Sequence, residues 1–160
     1  MNEEYQKIYD YALHLLSYRD RSIEEVKRKL VVFAKKRKIE ESFIGKIIAD
    51  LTTQKLLDDT SFALWWIEQR NTFRPKGVRA LQMELRQKGI EKEIIDTVLE
   101  KSPDSTKQEL ELAKSLIKRK FPDTHLGKEE VRKKIAGFLA RRGFSWDIVS
   151  IVLDESSEKE

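Results

Sequence analysis

Apolar residues return along this chain at helical spacing, and the same pattern comes back three times. Tyr11, Ala12, Leu15 and Leu16 fall at i, i+1, i+4 and i+5, with Arg19 closing the turn. Phe62, Ala63, Trp66 and Ile67 repeat this ahead of Arg70, and Leu112, Ala113, Leu116 and Ile117 repeat it ahead of Lys120. The period predicts an amphipathic helix whose last turn carries a base, where the helix dipole favours a cation. The alanines at 12, 63 and 113 set a period of about fifty residues, the mark of an internal repeat.

A second helix follows each of these. Ser22-Ile23-Glu24-Glu25 is a capping-box pattern, with Val26 and Leu30 next on the buried face. In the second copy Gly77 stands where Ser22 stood, ahead of Leu81 and Leu85; in the third, Ile135 and Leu139 precede Arg142-Gly143. A third helix then repeats most clearly. Ile39, Phe43, Ile44, Ile47 and Ile48 correspond to Ile90, Ile94, Ile95, Val98 and Leu99, and these to Phe144, Ile148, Val149, Val152 and Leu153, with Ser145 as N-cap.

Punctuation supports the plan. Asp58 and Asp59 are placed to receive the free N–H groups at the start of the Phe62 helix. Residues 71–76 are expected to break that helix, because Pro75 disfavours α geometry at Arg74. Gly89 suits the left-handed residue that ends the next helix. Ser102-Pro103-Asp104-Ser105-Thr106 reads as a linker. The expected fold is all-α: three tandem three-helix repeats over residues 1–55, 56–101 and 102–154, forming an elongated, curved, solenoid-like array, with 155–160 a disordered acidic tail. One such unit is too small to hold a sufficient core alone.

Composition changes the picture in two ways. Charged residues (38%) nearly equal apolar ones (39%), which suits helices with a narrow buried stripe and wide solvated faces. There is no cysteine, so disulfides and thiolate zinc sites are absent, in keeping with a cytoplasmic setting. The opening MNEEYQK is not a signal peptide, and the longest apolar run, Phe62–Ile67, is too short to span a bilayer, so no membrane association is expected.

The net charge of +4 is modest, but the bases cluster: Lys27–Lys29, Lys35–Lys38, Lys118–Lys120, Arg132–Lys134 and Arg141-Arg142. Acids gather elsewhere, at Glu40-Glu41, Asp58-Asp59, Glu91, Glu93, Asp96 and the tail. Most charge runs are simply solvated faces. Here they recur on the second helices and nearby turns, and so equally describe a positive stripe for phosphates or for an acidic protein groove. Trp65 stands where the first copy has the polar His14, so it is either a plug between repeats, the favoured reading, or a partner anchor. Trp66 and Trp146 read as structural. Helix-turn-helix pairs are drawn easily, but the third helices spend their β-branched residues on burial and offer few groups to base edges.

Catalysis finds little support. His14 and His125 lie in different repeats without acidic partners at helical spacing, and Gly127-Lys128 lacks the rest of a phosphate loop. No enzyme activity, metal or cofactor is expected.

The ordered set of motifs resembles the RecX family, bacterial regulators of the recombinase RecA. The matching pieces are Ala12-Leu13-x-Leu15-Leu16, Arg19-Asp20-x-Ser22-x-x-Glu25-Val26-x-x-Lys29-Leu30 and Leu57-Asp58-Asp59-x-x-Phe62-Ala63. Arg70, Gly77, Leu81-x-x-Glu84-Leu85-x-x-Lys88-Gly89-Ile90 and Arg142-Gly143-Phe144 complete them. Two positions depart: Lys55-Leu56 replaces the family's Gly-aromatic pair, and Trp65-Trp66 is heavier than usual. The resemblance implies a monomer that binds the RecA–DNA filament, contacts single- or double-stranded DNA at most weakly, and inhibits strand exchange and ATP hydrolysis. The residues expected to meet the partner are Arg70, Arg74, Lys76, Arg79, Arg86 and Lys88 centrally, with Lys133, Lys134, Arg141 and Arg142 distally. The alternative is a basic helical DNA-binding protein that acts independently of RecA.

Overall fold

The computed structural model describes residues 2–100, 103–122 and 129–158. Among them the regular elements are nine helices, with no strand. The first repeat holds α1 (Glu3–Tyr18), α2 (Ile23–Lys36) and α3 (Ser42–Thr53). The second holds α4 (Asp59–Phe73), α5 (Val78–Gln87) and α6 (Lys92–Val98), and the third α7 (Pro103–Lys120), α8 (Glu129–Arg141) and α9 (Trp146–Glu158). The all-α tandem-repeat architecture expected from the sequence is the one observed.

Polar side chains start these helices as their positions suggest. Ser22 Oγ accepts the Glu25 N–H (3.1 Å) while the Glu25 carboxylate accepts the Ser22 N–H (3.3 Å), closing the capping box of α2. Asp58 accepts from Thr60 and Ser61 at the head of α4 (2.9 and 3.2 Å). Three details differ from expectation. Helix α4 continues through Phe73, so the break falls at Arg74, the residue that Pro75 constrains. Helix α7 begins at Pro103, whose fixed φ suits a first helical position, so most of the expected linker is helix; Ser102 lies outside the described residues. Helix α9 runs to Glu158, into the stretch expected to be a disordered tail, and Glu155 pairs there with Lys114 of α7. Residues 159 and 160 lie outside the described residues.

The equivalent alanines, Ala12, Ala63 and Ala113, are completely buried, as the repeat requires where helices cross closely. The chain forms two compact units, Met1–Trp66 with Leu85–Val98, and Ile67–Glu84 with Leu99–Glu160. The division runs through α4 and α5. On α4 Phe62 and Ala63 are buried, while Leu64 in the same apolar run is 54% exposed. In the first unit α1, α2 and α3 close around Ile8, Leu30, Ile47 and Leu51. In the second, α7 and α8 pack on α9 around Ile117, Ile135, Leu139 and Val149.

Every second helix stops in the same way. The residues after α2, α5 and α8 that take positive φ are Lys38 (57°), Gly89 (82°) and Gly143 (89°). Behind each, the next N–H reaches back to the helix: Ile39 to Ala34 (2.9 Å), Ile90 to Leu85 (3.1 Å) and Phe144 to Leu139 (3.0 Å). These are Schellman turns, and Ile39, Ile90 and Phe144 all bury their side chains. Left-handed geometry alone does not demand glycine, since Lys38 occupies it. Close approach does. A Cβ on Gly89 would lie 2.5 Å from the Cβ of Glu24, and one on Gly143 would lie 2.3 Å from the Cβ of Ala80. A fourth such turn, after α3, has Lys55 at φ 62°, where the family pattern has glycine.

Gly143→Ala is therefore expected to destabilise the chain by about 2–5 kcal/mol, from left-handed strain plus overpacking. Lys55→Gly, at an exposed turn, should stabilise by up to about 1 kcal/mol. Urea midpoints at constant m-value check both; a tolerated Gly143→Ala would show that the two helix ends do not need to approach.

Candidate partner-binding surface

Four of the bases singled out by the sequence, Arg70, Lys76, Lys88 and Arg142, lie where one repeat meets the next. In the first unit, the start of α2 packs on the Gly89 turn. Ser22, fully buried, donates its hydroxyl to the Lys88 carbonyl (2.7 Å). Around this bond the Glu25 carboxylate collects cations: Arg19 Nη2 at 2.6 Å, Lys88 Nζ at 3.6 Å and Arg21 Nη1 at 3.9 Å. Burial works to raise the Glu25 pKa, but the bonds from Arg19 and the Ser22 N–H, with the charges of Arg19 and Lys88, outweigh it and hold the group below the usual carboxylate range. Asp59 shows the opposite balance. It accepts the Ile23 N–H (2.9 Å), yet burial, helped by Asp58, Glu91 and Glu24, raises its pKa.

In the second unit, the start of α5 packs on the Gly143 turn through the backbone itself. Gly77 N–H donates to the Arg142 carbonyl (2.7 Å) and Arg79 N–H to the Gly143 carbonyl (3.1 Å). The Arg142 guanidinium donates to the Pro75 carbonyl (3.3 Å) and lies 5.2 Å from the centre of the Phe138 ring. Glu84 takes the role of Glu25: Arg70 Nε donates to one oxygen (2.8 Å) and Lys76 Nζ stands 3.1 Å from the other. Both carboxylate side chains are well covered, 12% exposed for Glu25 and 14% for Glu84.

The ten bases therefore divide. Arg70, Lys76, Lys88 and Arg142 are half-buried and held by the contacts just described; Lys88 also lies 5.1 Å from the Trp66 ring centre. Arg74, Arg79, Arg86, Lys133, Lys134 and Arg141 are exposed, and among the described residues the one ion pair they make is that of Lys133 with Glu129, at 3.7 Å. A cleft of about 250 Å³ in the first unit is lined by Glu25, Arg28, Lys29, Gln87 and Lys88. Gln87 was not singled out from the sequence, since no local signal says that α2 meets the end of α5.

The tryptophans also divide. Trp65 is half-buried, 6.0 Å from Phe62 and 6.4 Å from Trp66 between ring centres, with the Arg19 guanidinium 5.8 Å from its own. Its neighbours include a residue of the first repeat, which agrees with a packing role. Trp146 does not fit the structural role expected of it, being 68% exposed at the first turn of α9. Two further aromatics escaped notice in the sequence, Tyr18 at the end of α1 and Phe73 at the end of α4, exposed by 70% and 76%. The signal was there, since each stands four residues ahead of the joint residue, Ser22 or Gly77.

His14 is exposed, while His125 and Gly127-Lys128 lie outside the described residues. Among the described residues no group of three His, Asp or Glu is arranged to hold a metal ion, and no helix is long and apolar enough to cross a membrane.

Three family models match the chain in order: the first three-helix domain of RecX over residues 9–51, the second over 58–99 and the third over 107–153. The chain belongs to the RecX family. A regulatory protein RecX from Chlorobium phaeobacteroides is 36% identical to it, over 94% of this chain and 93% of that protein. Another, from Leuconostoc mesenteroides, is 30% identical over 96% of this chain, which spans only 55% of that relative's length. The crystal structure of RecX from Lactobacillus salivarius aligns with a TM-score of 0.76 at 27% identity, covering 99% of both chains.

Against this RecX background the joints lead to two expectations. Because its folded pKa is depressed, Glu25 contributes stability that is complete above its unfolded pKa and is lost as pH falls through the folded value. Glu25→Gln should thus lower the urea midpoint at neutral pH and converge with the parent in acid; an equal deficit at both pH values would show that charge is not what Glu25 contributes. Reversal of the exposed pair, Arg79→Glu with Arg86→Glu, should leave helicity and melting nearly unchanged, because exposed charges contribute little. A collapse of melting on circular dichroism would mean that these arginines are structural.

Proposed function

We propose that this chain regulates RecA by binding the RecA–DNA filament, and that bound copies inhibit strand exchange and ATP hydrolysis. The observation that carries this reading is the ordered match of all three RecX domains on one chain whose relatives bear the name regulatory protein RecX. The surface supports it. Arg74, Arg79 and Arg86 of the second repeat, with Lys133, Lys134 and Arg141 of the third, present exposed cations to phosphates or to an acidic groove. Arg70, Lys76, Lys88 and Arg142 hold the joints in shape. The protein would act as a monomer in the cytoplasm, where it meets the filament.

The mechanism is steric and electrostatic, with no residue doing chemistry. A tandem array seated on successive RecA protomers would obstruct a second duplex, or the subunit movement that accompanies ATP turnover. A basic DNA-binding protein indifferent to RecA would use the same cations, and its effect would follow DNA coverage rather than RecA.

The test is DNA-stimulated ATP hydrolysis by the cognate RecA, titrated with this protein at near-physiological salt with DNA in excess. Inhibition well below one copy per RecA is the expected result. A fall only when the protein is abundant enough to cover the DNA, or no fall at all, would replace regulation of RecA with competition for phosphates. Arg79→Glu with Arg86→Glu should shift the inhibition curve to higher concentration.

A further inference from the structure

We propose that Phe73 is a stacking platform for an unpaired nucleotide base, so that the loop between α4 and α5 is a binding site for single-stranded DNA. The proposal deepens the filament reading above and rests on it for the identity of the nucleic acid as DNA. Phe73 is 76% exposed at the last position of α4, a place where the core makes no use of it. Its helix neighbours at i−4 and i−3 are Gln69 and Arg70, and Arg74 follows it, so the ring stands in a polar and basic setting. The centres of protein–protein interfaces are depleted in charge, which makes this setting a poor one for an apolar anchor in a protein groove. Cations beside an exposed aromatic ring are instead the arrangement that binds a strand of nucleic acid, one holding phosphates and the other a base.

The local charge is strongly one-sided. From Arg70 to Lys88 the chain carries six bases and one acid, Glu84, and that acid is already neutralised by Arg70 and Lys76. Arg74 and Arg79 are exposed and supply the surplus. The loop is also held in place before any ligand arrives. Gly77 N–H is bonded to the Arg142 carbonyl (2.7 Å) and the Arg142 guanidinium to the Pro75 carbonyl (3.3 Å), and Lys76 is ion-paired with Glu84 (3.1 Å). A ring carried on such a loop loses little freedom when a base settles on it. Duplex bases have their faces already stacked, so the site selects unpaired ones.

Recurrence gives independent support. Tyr18 stands four residues before Ser22 as Phe73 stands four before Gly77, each is followed by arginine, and each is the exposed last residue of its helix. Nothing in the packing of either joint requires an aromatic there. An aromatic kept at both places, outside both cores, points to a shared use on the surface.

The experiment is fluorescence anisotropy of the full chain with a labelled thymidine oligonucleotide of about twenty nucleotides and with a duplex of equal length, at one fixed salt concentration and then across salt. Phe73→Ala should weaken single-strand binding by about 5- to 100-fold, leave the salt slope unchanged and barely affect the duplex. Phe73→Trp should restore binding, which a loss through misfolding would not allow. Arg74→Ala with Arg79→Ala should instead flatten the salt slope on both ligands. The proposal is overturned if the parent does not bind the oligonucleotide, if Phe73→Ala binds it as the parent does, or if strand and duplex weaken alike. Should Phe73→Ala keep strand binding but lose inhibition of RecA ATP hydrolysis, Phe73 is a protein anchor, and stacking fails while regulation stands. If the parent leaves RecA turnover untouched, regulation fails, and the strand-binding comparison still decides stacking.

Discussion

Helix ends leave N–H groups at one terminus and carbonyls at the other without intrahelical partners, and in this chain the two kinds of end meet. The first-turn donors of α5, at Gly77 and Arg79, reach the carbonyls of Arg142 and Gly143 at the end of α8. Positive and negative ends of two helix dipoles are brought together by the same contact. At the other joint the Ser22 hydroxyl is the intermediary, accepting from Glu25 N–H and donating to the Lys88 carbonyl. Direct backbone pairing demands that side chains be absent, and a Cβ on Gly77 would lie 2.4 Å from the backbone of Gly143. Where a hydroxyl mediates, one glycine suffices. At Lys38 a full side chain occupies the equivalent turn, with its Cβ where the other two joints have no room for one.

The joints also organise the charge. Bases favoured at the ends of second helices come to lie beside a neighbouring helix start, and each joint buries one carboxylate among them. Glu25 and Glu84 are not equivalent in the repeat: counting from Ser22 and Gly77, Glu25 aligns with Ala80 and Glu84 with Lys29. The requirement is for a negative charge under the cluster, and the two repeats meet it from different turns of the helix. Once these pairs are made, Arg74, Arg79 and Arg86 are the exposed remainder among the bases from Arg70 to Lys88. Their charge is spent on no internal partner among the described residues, and so is available to a ligand.

The repeat plan was legible because burial and capping are local. Ala12, Ala63 and Ala113 share one period, the Ser22–Glu25 box lies within a single turn, and Gly89 and Gly143 mark stops at the ends of apolar stripes. Helix ends were less so. Phe73 continues α4 because the steric effect of Pro75 reaches back only to Arg74, and α9 extends past Glu155 with Lys114 to pair with it. Trp146 was misread because aromatic character predicts burial only on average, and the first turn of α9 turns this residue outward.

The sequence by itself determined the number and kind of helices, their buried stripes, the family and the presence of clustered bases, all of which follow from short-range period and composition. Only the tertiary structure decided which bases are spent. Arg70 meets Glu84 fourteen residues away and Ser22 meets Lys88 sixty-six residues away, and no helical period encodes such pairings. It also separated the two roles of glycine, since a left-handed φ belongs to a single residue, whereas the 2.3–2.5 Å approaches at Gly89 and Gly143 exist only once a second repeat is in place.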